Sequence, residues 1–147
     1  MHDAPPGDLF GFRLSVLARQ WRRAVERHLA RAGLTDASWA PLIHLHEAGD
    51  GIAQKELAAR VGTDDSSLVR LLDILEGRAL IERRIDDRDR RARLIHLTPA
   101  GREEVARLRR LLAQAEADLL ADVSDAEVAT MLAAFDRIAA RLRGTEP

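Results

Sequence analysis

The sequence has no cysteine, which excludes disulfides, thiol redox sensing and cysteine-based metal sites. Aromatic residues supply only 3% of the chain, so any core must be built mostly from leucine, alanine, valine and isoleucine. No apolar run approaches the ~20 residues of a membrane span, and the N-terminus lacks a basic stretch followed by an apolar one. These absences predict a soluble cytoplasmic protein with no membrane partner. A net charge of one sign is also missing: the formal total is −1. Lysine is nearly absent, with Lys55 standing against 22 arginines.

What is present is arginine in a pattern. Between Arg78 and Arg110 there are eleven arginines against six acids, whereas Asp118, Asp122, Asp125, Glu127, Asp136 and Glu146 lie further on. A polyanionic partner needs a locally basic surface, not a basic total. Alanine and leucine are strong helix formers, and the 147 residues suit one domain or one compact dimerising unit.

Hydrophobic periodicity divides the chain. Phe10, Leu14, Leu17, Trp21, Val25 and His28 or Leu29 recur every three or four residues, predicting a long helix from Asp8 to about Arg31. Gly33 closes it. Thr35 is a candidate N-cap, with Leu34 and Trp39 placed as a hydrophobic staple, for a helix from Asp36 to about Ala48. Pro41 within that helix predicts a kink or an uneven start. Two short helices follow, Gln54 to Arg60 and one from Thr63 or Asp64 to about Arg78, separated by Gly62. Leu80–Ile85 and Arg93–Leu97 then read as a β-hairpin around a charged tip. Thr98-Pro99 restarts a helix that runs to about Ala121, and Ser124 with Glu127 forms a capping box for the last one. In that last helix Val128, Met131, Phe135, Ile138 and Leu142 make a seam suited to packing on another helix.

Two short helices joined by a tight turn are the signature of a helix-turn-helix, in which the second helix enters the major groove of duplex DNA. Leu57, Ala58, Val61, Leu68 and Leu71 would hold the pair on the core, leaving Asp65, Ser66, Ser67, Val69, Arg70 and Asp73 outward. Arg70 suits a guanine edge, with phosphate contact or solvation as the plainer alternative. Ser66 and Ser67 suit phosphates, or helix capping. Arg88, Arg90 and Arg91 at the hairpin tip suit a narrow minor groove, with Asp89 placed to orient one guanidinium by a two-pronged bond. A solvated charged turn is the alternative.

These pieces together resemble the MarR family of bacterial transcriptional regulators. The resemblance rests on Gln54-Lys55-Glu56-Leu57-Ala58, the run Ser67 to Glu76, Leu80-Ile81-Glu82-Arg83-Arg84, Asp89-Arg90-Arg91 and Leu97-Thr98-Pro99-Ala100-Gly101, in order. Leu34-Thr35 with Trp39, and Ser67-Leu68-Val69-Arg70, are most similar to the SlyA-like branch. The resemblance implies a mainly α fold with a small β-hairpin: a winged helix-turn-helix with N- and C-terminal dimerisation helices. It divides the chain into a dimerisation helix (1–34), a DNA-binding lobe (35–98) and C-terminal dimerisation helices (99–147). It implies a homodimer on palindromic double-stranded operators, a repressor more than an activator, with Arg91 as the minor-groove residue and Asp89 its supporting acid. Asp64 and Asp65 depart from the neutral polar residues often found there. Two carboxylates favour a helix N-terminus but oppose phosphate approach, unless Asp65 reads a cytosine amino group.

Many relatives resemble sensors of small aromatic carboxylates, which release the protein from DNA. Arg13, Trp21, Trp39 and His44 are candidates to border such a ligand, though a buried tryptophan is more often plain core. A ligand acts only by favouring one dimer shape over another. His44 and His46 point about 200° apart on a helix and do not share a metal ion. No phosphate loop, nucleophile elbow or paired catalytic carboxylate stands out, so no catalytic residues, cofactor or metal are expected. The rival reading, a winged helix serving as a protein dock, has no need of three arginines on the hairpin tip.

Overall fold

The computed structural model describes residues 5–49 and 51–145. Six helices and a small antiparallel sheet follow in the order α1 (Phe10–Arg31), α2 (Trp39–Ala48), β1 (Ile52–Ala53), α3 (Gln54–Val61), α4 (Asp65–Gly77), β2 (Ile81–Ile85), β3 (Arg93–Leu97), α5 (Pro99–Leu119) and α6 (Asp125–Arg143). They form two compact units divided after Ala113.

The first unit is built on one apolar core. Leu42 and Leu45 of α2, Leu57 and Ala58 of α3, and Leu68, Leu72 and Leu75 of α4 meet Ile81, Ile95 and Leu97 of the sheet. Val105 and Leu108 complete it from the first half of α5. The i, i+4, i+7 spacing of Leu68, Leu72 and Leu75 on α4 puts these three buried leucines on one side, which turns the opposite side outward.

The sheet has three strands, not the two that periodicity predicts, in the order β1-β3-β2. Ile52 and Ala53 pair with Ile95 and Leu94, and β2 pairs with β3 from Ile81↔Leu97 to Ile85↔Arg93. The third strand shields β3 on its second edge, so the hairpin does not stand alone.

The α1–α2 connection also differs from expectation. Thr35 caps nothing. Instead Asp36 accepts the backbone N–H of Ser38 at 3.0 Å and also its hydroxyl, closing a turn before the helix begins at Trp39. Pro41 thereby falls in the first helical turn, where a missing N–H breaks no intrahelical bond. Gly62 ends α3 at φ 76°, the left-handed geometry that lets the chain reverse into α4. Asp64, not Thr63, caps α4.

In α1 only Val25 and Leu29 are buried. The N-terminal half of the same apolar stripe, Phe10, Leu14 and Leu17, remains exposed. In the second unit α6 begins with the expected Ser124–Glu127 capping box and buries no residue. Its seam residues Met131, Phe135, Ile138 and Leu142 are all exposed.

Candidate nucleic-acid interface

The outward side of α4 carries Asp65, Ser66, Val69, Arg70 and Asp73, all exposed. Among the described residues, nothing bonds to the Arg70 guanidinium, so it is available to a ligand. Ser67 is committed differently. Its backbone N–H donates to Asp64 Oδ1 at 2.7 Å and its hydroxyl to Asp64 Oδ2 at 3.0 Å. Ser67 therefore closes the helix cap, and among the described residues the Ser66 hydroxyl has no partner. The same bonds hold the Asp64 carboxyl below its ordinary range, chiefly through the Ser67 N–H and then its hydroxyl. That carboxylate is spent on the N-terminus of α4.

The hairpin tip spans residues 86–92. Of its three acids, Asp86 and Asp89 organise backbone rather than guanidinium groups. Asp86 Oδ1 accepts the N–H of Arg88 at 2.9 Å, and Asp89 Oδ1 accepts the N–H of Arg91 at 3.0 Å. The two-pronged Asp89–arginine bond expected from the sequence is thus replaced by a bond to the main chain. The aspartates shape the turn, and Arg88, Arg90 and Arg91 project exposed from it. Among the described residues their guanidinium groups make no ion pair.

Two arginines that the sequence reading passed over are anchored, not free. Arg83 on β2 donates from Nη2 to Asp73 Oδ1 at 2.6 Å, and its Nε lies 3.5 Å from Glu76. Arg78, just beyond α4, donates from Nη2 to Asp36 Oδ2 at 2.7 Å. Both hold α4 in place, one along its length and one at its C-terminal end.

The four candidate ligand residues are spread across the first unit. Trp39 packs against the core, and Trp21 and His44 are half-buried. Arg13 is exposed on the first half of α1. The arginine that reaches Trp39 is Arg22, whose guanidinium carbon lies 5.0 Å from the ring centre. Burial, then Arg22, then Arg60 push the His44 pKa below its ordinary value. Arg22 is at the same time paired with Glu26 at 3.0 Å and Arg60 with Glu56 at 3.1 Å, so this corner is aromatic, with arginines that already hold carboxylate partners.

The fold matches known regulators. A MarR family model matches residues 32–92. A solved transcriptional regulator, PA3341, is 36% identical over 92% of this chain and 98% of its own, with a TM-score of 0.78. A MarR-family regulator from Rhodococcus sp. RHA1 is 31% identical over 93% of this chain and 96% of its own, also at TM-score 0.78. The chain belongs to the MarR family. It is therefore a DNA-binding transcriptional regulator rather than an enzyme, of a family whose members act as dimers. A further MarR-fold relative, CouR from Rhodococcus jostii RHA1, was solved bound to p-coumaroyl-CoA. It is 30% identical over 88% of this chain and 90% of its own, with a TM-score of 0.71.

Proposed function

We propose that this MarR-family protein is a repressor of the SlyA-like branch that binds palindromic operators as a homodimer in the cytoplasm. One observation carries the reading. Arg70 on α4 and Arg88, Arg90 and Arg91 on the wing tip are exposed and unpaired among the described residues, while Asp64, Asp86 and Asp89 beside them are bonded to backbone. Four free guanidinium groups on one lobe suit a polyanion. In this reading α4 lies in the major groove with Arg70 on a base edge, Ser66 and Ser67 near the phosphates, and Asp65 either clear of the backbone or on a cytosine. The wing places Arg91 in the minor groove, with Arg88 and Arg90 beside it and Asp89 holding the turn.

The exposed stripes on α1 and α6 support dimerisation, because contiguous apolar surface of this kind ordinarily meets a partner. Residues 1–34 and 99–147 would form the dimer and 35–98 the reading lobe. Two copies then present two wings, and a two-fold protein matches a palindromic site.

Release by a small aromatic carboxylate is the regulatory half of the reading. Trp21, Trp39, His44 and Arg13 offer rings and positive charge, with Arg22 over the Trp39 ring and paired to Glu26, and CouR's bound p-coumaroyl-CoA carries an aromatic acyl group. Selection of bound duplexes from random DNA tests the central claim. An enriched inverted repeat is the expected result, and a pool that never departs from random overturns it.

A further inference from the structure

The reading helix is acidic. From Asp64 to Gly77 it holds Asp64, Asp65, Asp73 and Glu76 against one base, Arg70. Such a segment entering a phosphate-lined groove meets repulsion unless its carboxylates are offset. Asp64 is occupied by the cap. Asp73 and Glu76 are three residues apart, so they share a helix face.

Arg83 meets both. Its Nη2 lies 2.6 Å from Asp73 and its Nε 3.5 Å from Glu76. The Arg83 side chain is only 21% exposed, against 61% and 52% for the two carboxylates. Its Nε is buried and forms no hydrogen bond, so the group is held beneath the acids instead of reaching into solvent. Arg84, next along β2, pairs with Glu82 at 2.8 Å and takes no part.

We propose that Arg83 is a positioning residue for DNA binding: from the wing strand it offsets the charge of Asp73 and Glu76 on the recognition helix, without itself contacting DNA. This rests on the reading of α4 as the groove helix. The acids then stay turned toward their own counter-charge and not toward the phosphates.

The test measures binding by fluorescence anisotropy at fixed salt. The probes are a duplex recovered by selection and a random duplex of about 30 base pairs, long enough for two half-sites. Arg83→Gln is expected to weaken binding about tenfold on both, since unpaired like charge faces the phosphates. Adding Asp73→Asn and Glu76→Gln to Arg83→Gln is expected to restore most of the loss. Wild-type affinity for Arg83→Gln overturns the proposal. So does a triple variant as weak as Arg83→Gln, because Arg83 would then act on DNA or on folding directly. Should Arg83→Gln fail to fold, the Asp73→Asn/Glu76→Gln variant decides: it must bind at least as tightly as wild type, and weaker binding overturns the proposal. Arg70→Ala in the same assay separates the two claims, because undiminished binding by that variant removes α4 from the groove whatever Arg83 does.

Discussion

The Thr98 hydroxyl donates to the Ala79 carbonyl at 2.6 Å and accepts the N–H of Gly101 at 3.0 Å. One side chain thus caps α5 and grips the turn that leaves α4. Ala79 in that turn has φ 59°, unusual for a residue with a Cβ. The Thr98 N–H also donates to the Leu80 carbonyl at 3.1 Å. Gly101 is required by closeness. A Cβ there would lie 2.0 Å from the Leu80 carbonyl oxygen, which is backbone and does not swing aside. Gly101→Ala is expected to destabilise the fold by about 3 kcal/mol or more, the upper range for overpacking. Urea unfolding followed by circular dichroism measures it, and a loss within error of zero would show that the turn yields easily.

Asp36 links the start of α2 to the end of α4 through Ser38 and Arg78. Its carboxyl is held below the ordinary 3.8, first by the Ser38 hydroxyl bond, with Arg78 contributing and partial burial opposing. A depressed folded value means that the ionised form stabilises the fold. That contribution is complete above 3.8 and is lost as pH falls through the lower folded value. Asp36→Asn is expected to cost about 1 kcal/mol at neutral pH, limited by solvent screening of a half-exposed pair. The difference between wild type and variant should close below pH 3.8. A gap that persists undiminished in acid would assign the effect to packing.

His44 gives the opposite group with the same sign of pH dependence. Burial and the charges of Arg22 and Arg60 push its pKa below 6.5, so the unfolded chain takes the proton first. Stability is then whole above 6.5 and erodes as pH drops below it. His44→Gln is expected to flatten the fall in melting temperature across that range. An unchanged fall would mean that other groups govern it.

Most of the architecture was legible because it follows from apolar spacing and capping residues. The Ser124–Glu127 box and the Thr98-Pro99 start needed only local chemistry. The β1 strand was not legible: two residues show no alternation, and they become a strand only because β3 lies beside them. Thr35 misled because Asp36, one residue later, forms the turn with Ser38 and is drawn to Arg78. At the interface the free arginines were readable as charge on a turn. The Arg83–Asp73 pair was not, since it depends on how β2 lies against α4. Arg22 was missed for the same reason, its partner Trp39 being on another helix.

The α6 seam provides a test of assembly. Phe135 and Ile138 are exposed at 46% and 39%, on a helix that buries nothing in its own unit. If a second copy covers them, an introduced carboxylate must be buried uncompensated. Phe135→Asp with Ile138→Asp is expected to give monomers in sedimentation at micromolar concentration while the helix content of the first unit persists. A dimer as tight as wild type would move the interface elsewhere.

Arg91 stands exposed on the wing tip. Its backbone N–H is fixed by Asp89 at 3.0 Å, so the side chain leaves the wing tip from a set position. A guanidinium entering a narrow minor groove meets concentrated negative potential, and a dimer delivers two of them. Arg91→Ala is expected to weaken DNA binding more than about tenfold, given ~1–3 kcal/mol per well-placed contact. The slope of log K against log salt should also fall, because each lost phosphate-side contact releases fewer counterions. Asp89→Ala should cost less and act through turn order, with the arginines still present. Gel-shift titrations over a salt series distinguish these cases. Equal affinity and slope for Arg91→Ala and wild type would leave the wing as a solvated turn and place recognition on α4 alone.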